Sequence, residues 1–548
     1  MRYCLLLLGF AFFLYLPSFN NDLFWDDEQF IYNNTYVKAF DVKNIVTQNT
    51  IAGAGEISQY YRPLTTLSFA FDYQIWGNNP IGFHLTNTLL HAFAAVLLFL
   101  FLTEIGIRKK YALTIAAVFI AHPLQTESVV YANSRGDSQY AFWLFTSLFL
   151  FSLLLRTKKS TLALYNISFT VQKWQLLLGT VSTFICAVLA KEIALGGLLL
   201  FPAVLLLQKI HTKSKATSKN TRYQFATISL IALSVGAYFL LRHYFVNLGP
   251  FINYYAGSEY GDSVLVRIFT FAASLWLYLK LILVPFPLHM ERSISVITTA
   301  LHPAVIASTV GIAVLFLLGL KELQKKQAIW IWFGTYWFFA LLGPVSGVLP
   351  VNGMFYEHWL YTPLVGVLIC CYGMFQLLPK NLTIIILKLK TPILAILFSI
   401  YVLLTLRQNY LWGNAIRFYS YTLSHSETAR LRNNLAMSYA DKGQTQKAVE
   451  EYKKSLSITD TYPQTHYNLA QAYVAQGQIT EALVEYTAAL EIDPHFMYAY
   501  QPLILLYAQQ KNQDLAETYL QQLEALVPGN ESVAALRKTA QSLLQDTP

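Results

Sequence analysis

The feature that most constrains this chain is a succession of apolar runs long enough to cross a lipid bilayer. They begin near Tyr3, Phe83, Tyr111, Tyr140, Trp174, Ile193, Tyr223, Ala304, Ala328, Trp359 and Pro392. Within hydrocarbon every backbone N–H and C=O must be satisfied inside the segment, so runs of this length read as helices. The expected architecture over residues 1–408 is an all-α, polytopic membrane domain of about eleven spans. A chain of 548 residues that is 55% hydrophobic suits this reading. Cys4, Cys186, Cys370 and Cys371 all sit in apolar runs, so neither a disulfide framework nor a zinc site is legible.

Orientation follows from the basic residues. The net charge of +9 is concentrated in a few connections, which marks cytoplasmic loops rather than a nucleic-acid surface. These are Arg108-Lys109-Lys110, Arg156 with Lys158 and Lys159, residues 209–222, Lys321 with Lys325 and Lys326, and residues 380–390. No small-x-small cleavage pattern follows the first run, so it is expected to remain as a helix. The N-terminus is then cytoplasmic, and residues 20–82 form a first external loop. The run from Val266 to Pro287 breaks the alternation. A re-entrant or interfacial segment there, suited by Lys280 and Pro285-Phe286-Pro287, keeps every basic loop cytoplasmic and puts the C-terminal region outside.

After Arg407 the sequence turns polar and repetitive, and residues 409–548 read as a second domain. Leu435, Ala436, Tyr439, Gly443, Ala448 and Tyr452 recur 34 residues later as Leu469, Ala470, Tyr473, Gly477, Ala482 and Tyr486. A weaker third copy holds Leu503, Tyr507, Ala516 and Leu520. This is the tetratricopeptide period, with small residues where paired helices cross. Repeats are expected at 430–463, 464–497 and 498–531, with a helix before them and one after. Asn434 and Asn468 occupy equivalent first-helix positions, where an amide can grip an extended peptide in the groove of the solenoid. The alternative is that both are ordinary exposed polar residues.

The acidic cluster Trp25-Asp26-Asp27-Glu28 follows the first run, where carboxylates are costly unless they meet water or a cation. With the topology above, further polar residues fall at the same membrane face. They are Arg62, His84, His91, His122, Glu127, Arg135, Asp137, Lys191, Glu192, Glu357, His358 and Tyr361. Singly, Lys191-Glu192 or Arg135 with Asp137 reads as a structural ion pair at a helix end. Together they are better explained by one water-filled cavity, with carboxylates for base chemistry and cations for an anionic leaving group. There is no Gly-rich phosphate loop, HExxH, CxxC or Gly-x-Ser-x-Gly, so soluble nucleotide chemistry is not supported. Asp26 and Asp27 are compatible with a Mg²⁺ or Mn²⁺ ion and equally with metal-free chemistry.

In order along the chain, Trp25-Asp26-Asp27, Tyr61-Arg62-Pro63-Leu64, Phe83-His84-Leu85-Thr86-Asn87 with His91, and His122-Pro123 with Thr126-Glu127 form a pattern. Arg135, Lys191-Glu192 and Glu357 with Leu360-Tyr361-Thr362-Pro363 complete it. Followed by the repeats, it resembles the transmembrane and tetratricopeptide-repeat O-mannosyltransferases and their bacterial relatives, within the GT-C glycosyltransferases. The resemblance implies a polyprenyl-phosphate sugar donor, a hydroxyl acceptor, usually protein Ser or Thr, and action on the non-cytoplasmic side. It makes Asp26 or Asp27 the candidate base and Arg62, Arg135 and Lys191 candidates for the lipid phosphate. His84, His122 and Glu357 would shape the sugar and acceptor sites. The family commonly carries Arg where this chain has His358, and its animal members have longer repeat arrays. Short loops and a compact array suggest a bacterial inner-membrane protein with a periplasmic active site and repeat domain. A different class of function, a membrane-anchored repeat scaffold for an envelope assembly, would need no acidic pair.

Overall fold

The structure, a computed structural model, describes residues 1–548 except 157–159, 165–166, 213–217, 249–254, 256, 323–328, 349–350, 352, 379 and 546–548. Lys158, Lys159, Lys325, Lys326 and the middle of the 209–222 connection therefore lie outside the described residues. The chain is nearly all helical, as its sequence predicts. An antiparallel strand pair, Ser160–Leu164 with Ile167–Val171, stands in what reads only as a basic loop. Its Thr, Ile and Val content favours strand over helix.

Two compact units emerge, Met1–Gly413 and Asn414–Pro548. In the first, six helices among the described residues are long and apolar enough to cross a membrane: Arg2–Asn20, Pro80–Glu104, Lys173–Ala190, Glu192–Ile210, Thr221–Phe245 and Val264–Leu283. Lys109–Ala121 and Pro123–Val130 form a further pair bent by 57°, and four shorter apolar helices follow later in the chain. The bend falls at Pro123, whose ring cannot continue the hydrogen-bond ladder.

Two segments bear on the expected spans. Arg135–Leu154 is not among the six, because it is the interior helix of the bundle, packed against Pro80–Glu104 and Lys173–Ala190. Its polar residues are satisfied inside, as where Ser147 Oγ donates to Thr180 O at 2.7 Å. Val264–Leu283 is one unbroken helix of 20 residues, long and apolar enough to cross a membrane. Lys280, which looks out of place within an apolar run, falls in the last turn, where a cation favours the free carbonyls.

Close helix contact is made with glycine. Ile329–Leu342 and Pro363–Leu377 cross where a Cβ on Gly334 would collide with the Gly366 carbonyl, and one on Gly366 with that of Gly334. Small residues at such crossings let backbones approach, which drives packing where no hydrophobic effect operates between helices. The first external loop is itself structured. Phe30, Ile31, Val37, Ile45 and Ile51 build a small core on Phe69 and Phe83.

The second unit stacks helix pairs Ala429–Asp441 with Thr445–Ile458, Pro463–Ala475 with Ile479–Ile492, and Tyr500–Gln509 with Gln513–Leu526. Ala415–Leu423 precedes them and Glu531–Gln545 follows. Repeat positions behave alike: Ala448, Ala482 and Ala516 are all buried at the helix crossings, as are Tyr452, Tyr486 and Leu520 beside them. Gly443 (φ 70°) and Gly477 (φ 73°) end the first helix of their repeats in the left-handed region, and Lys511 (φ 61°) does so in the third. That substitution is one physical reason the third copy is faint in sequence.

Candidate active site

The acidic motif begins with a strained residue: Trp25 has φ 65°, a conformation bulky side chains rarely adopt. Its ring stacks on Tyr131, which stacks in turn on Trp412. The next two carboxylates differ. Asp27 is buried, with Oδ1 accepting from the Asn133 amide at 2.8 Å and Oδ2 from the Phe24 amide at 3.2 Å. Burial pushes its carboxyl well above the usual range, the two amides and Arg135 pull the other way, and the Asp26 charge adds to the rise. Asp26 is only partly buried, and its backbone N–H donates to Tyr131 Oη at 3.2 Å. Glu28, also partly buried, opens the single wide turn Glu28–Tyr32.

The stretch from Thr126 to Asp137 is the hub of the site. It supplies Tyr131 and Asn133 to the acidic loop and carries three further polar contacts. Asp137 Oδ1 accepts from Lys191 Nζ at 2.7 Å, both side chains being buried, and Ser128 Oγ lies 3.4 Å from Asp137 Oδ2. Lys191 reaches it because the chain is extended there (φ −158°, ψ 134°) between two helices. Glu127 Oε1 lies 2.7 Å from His358 Nδ1. Burial pulls His358 down to about 3, helped by the Lys191 and Arg62 charges, so its imidazole is neutral at physiological pH.

Two more pairs complete the region. Arg62 Nε donates to Glu192 Oε2 at 3.0 Å, with its guanidinium over the Tyr60 ring at 4.7 Å. Glu357 Oε1 accepts from Arg292 Nε at 2.8 Å and from the His289 amide at 3.1 Å. Burial raises Glu357 to about 7, against the pull of Arg292, and Glu127 raises it further. The charges of Asp137, Lys191 and Arg62 all act on His358, and that of Glu127 acts on Glu357. Glu127, Asp137, Lys191, Arg62, Glu192, Glu357 and His358 thus share one electrostatic neighbourhood, and Asp27 joins the acidic loop to it through the Asn133 backbone.

Other expected site residues are committed to packing. Arg135 is completely buried and uses all three nitrogens, on Asn87 Oδ1 (2.6 Å), Ser68 Oγ (3.2 Å) and the Phe83 carbonyl (3.0 Å). Its ion pair is with Asp72 at 2.5 Å, so no nitrogen is left for a lipid phosphate. His84 Nε2 donates to the Asn21 carbonyl at 3.1 Å and ties the loop to the second long helix. His122 Nδ1 accepts from the Leu124 amide while Nε2 donates to the Ile282 carbonyl at 3.0 Å, which fixes the tautomer and caps the bend. His91 Nδ1 and Tyr361 Oη meet at 2.6 Å beside Phe119, deep in the bundle. Asp27 is spent on backbone amides, and among the described residues no three His, Cys, Asp or Glu side chains converge as metal ligands.

Sequence reasoning missed Asp72 and Arg292. Each was legible only as an isolated charge beside an apolar run, the one inside Pro63–Trp76 and the other just past Pro287. In the repeats, Gln464 Nε2 donates to Asn468 Oδ1 at 3.0 Å, Asn468 Nδ2 to Asn433 Oδ1 at 3.4 Å, and Asn433 Nδ2 to Asn434 Oδ1 at 3.4 Å. Asn434 and Asn468 thus belong to one amide ladder joining the first helices of two repeats, with the unexpected Asn433 between them.

Comparison with known proteins fits both units. Residues 3–248 match the family described as dolichyl-phosphate-mannose-protein mannosyltransferase. Residues 437–477 match a TPR repeat and residues 463–496 a tetratricopeptide repeat. A Caenorhabditis elegans protein O-mannosyl-transferase is 24% identical over 85% of this chain and 64% of its own length. The Homo sapiens protein O-mannosyl-transferase TMTC2 is 29% identical over 50% of this chain and 33% of its own. Tmtc1 of Drosophila melanogaster is 29% identical over 35% of this chain and 21% of its own. The chain thus spans less than two thirds of the length of these relatives. The resemblance stated from the motifs holds across most of the chain.

Proposed function

We propose that this chain, in which a membrane domain of protein-mannosyltransferase type is joined to tetratricopeptide repeats, is a membrane glycosyltransferase acting on protein hydroxyls. The donor is a polyprenyl-phosphate sugar, mannose being the first candidate, and transfer takes place at the non-cytoplasmic face. In a bacterial cell this is the periplasmic side of the inner membrane. The observation that carries the reading is the division of labour in the acidic pair. Asp27 is fixed between the Phe24 and Asn133 amides, which sets Asp26 against the stretch that also carries Glu127 and Asp137.

In the proposed reaction the acceptor oxygen bonds to the anomeric carbon while its proton passes to the Asp26 carboxylate. The bond from that carbon to the phosphate oxygen breaks, and polyprenyl phosphate leaves with an additional negative charge. Cations already in place stabilise such a charge without reorganising as it forms. Arg62, held on one edge by Glu192, is a partly exposed cation of this neighbourhood, and Lys191 adds its charge from a buried pair with Asp137. The repeats present the acceptor protein, with the ladder from Gln464 to Asn434 on the first helices as the candidate contact for an extended segment.

The test is transfer of labelled sugar from a panel of polyprenyl-phosphate sugars by purified protein, with membrane extract as acceptor. Wild type is expected to label protein, and Asp26→Asn to fold but not transfer. Full transfer by Asp26→Asn would remove it as the base. Failure of wild type with every donor, alongside capture of one discrete partner by the repeats, would favour the scaffold.

A further inference from the structure

The proposed reaction leaves a phosphate that gains charge at a site with few cations to spare. Arg135 has no unused nitrogen, and Lys191 is buried on Asp137. Arg62 and Arg292 are different: each has one edge of its guanidinium held and part of its side chain, 18% and 12% respectively, exposed. Arg62 stood out in the sequence. Arg292 did not, and its surroundings are more elaborate.

Its Nε and Nη2 both face Glu357 Oε1, and Nη2 also donates to the Pro287 carbonyl at 2.6 Å. Glu357 is itself buried and further fixed by the His289 amide. No hydrogen bond from Nη1 is present among the described residues. The guanidinium is therefore locked on one edge and open on the other. That is the arrangement in which a planar cation loses little freedom when it meets an oxyanion. Glu357 adjoins His358, which contacts Glu127 of the hub, and the Glu127 charge acts on Glu357, so Arg292 is paired to a member of the neighbourhood described above.

We propose that Arg292, positioned by Glu357, binds the phosphate of the lipid donor and of the lipid product. This rests on the proposed glycosyltransferase reading and names one of its binding groups. Glu357 acts here as a positioning residue, since it holds the cation and need not touch the lipid.

The test measures binding of polyprenyl monophosphate to the full chain in nanodiscs, beside uncharged polyprenol, for wild type, Arg292→Gln and Arg292→Lys. Arg292→Gln is expected to weaken phosphate binding about ten-fold or more, as loss of a charge-assisted pair does, and to leave polyprenol unchanged. Arg292→Lys, which keeps the charge and loses the fork, should fall between. Where wild type transfers sugar, donor KM should rise in the same order while acceptor KM stays put. Binding within two-fold of wild type in a folded Gln variant, or in the Lys variant should Gln not fold, overturns the assignment. So does a wild type that binds the phosphate no better than polyprenol. A wild type that binds the lipid phosphate but transfers nothing refutes the proposed reaction, and Arg292 is then judged by binding alone.

Discussion

Asp27 Oδ1 lies 2.8 Å from the backbone nitrogen of Asn133, so the acidic loop is pinned to the hub of the site by a carboxylate that is itself buried. The neighbouring Asp26 is partly exposed, and its backbone N–H donates to Tyr131 Oη. Two adjacent residues of one type therefore differ in burial, and the proposed function gives anchoring to Asp27 and chemistry to Asp26.

The pair should separate in mutation. Asp27→Ala leaves the buried Phe24 amide and the part-buried Asn133 amide without their acceptor, and a buried donor left unpaired costs about 1–3 kcal/mol. Thermal unfolding in detergent should show a marked loss for Asp27→Ala and little change for Asp26→Asn, while transfer is abolished in Asp26→Asn. Equal stability of the two variants would contradict the division of labour.

Lys191 and Asp137 form a buried pair, and removing one partner strands the other charge. Lys191→Met alone should destabilise by about 3–5 kcal/mol, whereas the double variant Lys191→Met/Asp137→Leu should recover most of that loss. The measurement is a double-mutant cycle on unfolding midpoints. A double variant as unstable as the sum of the singles would show that the two do not compensate one another.

What the sequence reveals and what it hides follow from the range of the interactions. The repeats are legible because Leu435, Leu469 and Leu503 meet the same neighbours every 34 residues, so pattern and packing coincide. The membrane helices are legible because lipid imposes a simple rule on composition. Sidedness within the polar set is not. Arg135 with Asp137 and Lys191 with Glu192 read alike as local ion pairs at helix ends, yet Arg135 is sealed by Asn87, Ser68 and Asp72 while Lys191 takes Asp137 as its partner. Those partners are 48 to 67 residues distant in sequence, and a lone charge does not announce which of them it will meet. The bond between Arg292 and Glu357, 65 residues apart, was hidden for the same reason.

Glu357 should make the membrane unit sensitive to pH. Its carboxyl is raised to about 7 from an ordinary 4.5, so the folded state holds a proton that the unfolded chain has released between those values. Stability from this group is full below about 4.5 and is lost as pH rises through about 7. The titratable or charged groups acting on it include Arg292, Glu127 and Tyr278, and Glu127 opposes its ionisation. Tryptophan-monitored unfolding from pH 5 to 8 should show wild type losing stability relative to Glu357→Gln across that window. Parallel curves for the two proteins would remove the assignment.

The third repeat offers a gain rather than a loss. Gly443 and Gly477 end their first helices at φ 70° and 73°, and Lys511 occupies the matching place at φ 61°. An L side chain in the left-handed region is disfavoured by about 1–2 kcal/mol, and glycine is nearly free of that cost. Lys511 Nζ does donate to the Leu543 carbonyl at 2.6 Å, but that contact is exposed and contributes little to offset the strain. The unfolded chain gains entropy with glycine, which reduces the benefit. Lys511→Gly should still stabilise the third helix pair by about 0.5–1 kcal/mol. Hydrogen exchange of the full-length protein reads this locally: amides of Tyr500–Gln509 and Gln513–Leu526 should exchange about two- to five-fold more slowly. Those of Ala429–Asp441, two repeats away, should not change. Faster exchange in the third pair would mean that the Leu543 contact outweighs the backbone strain.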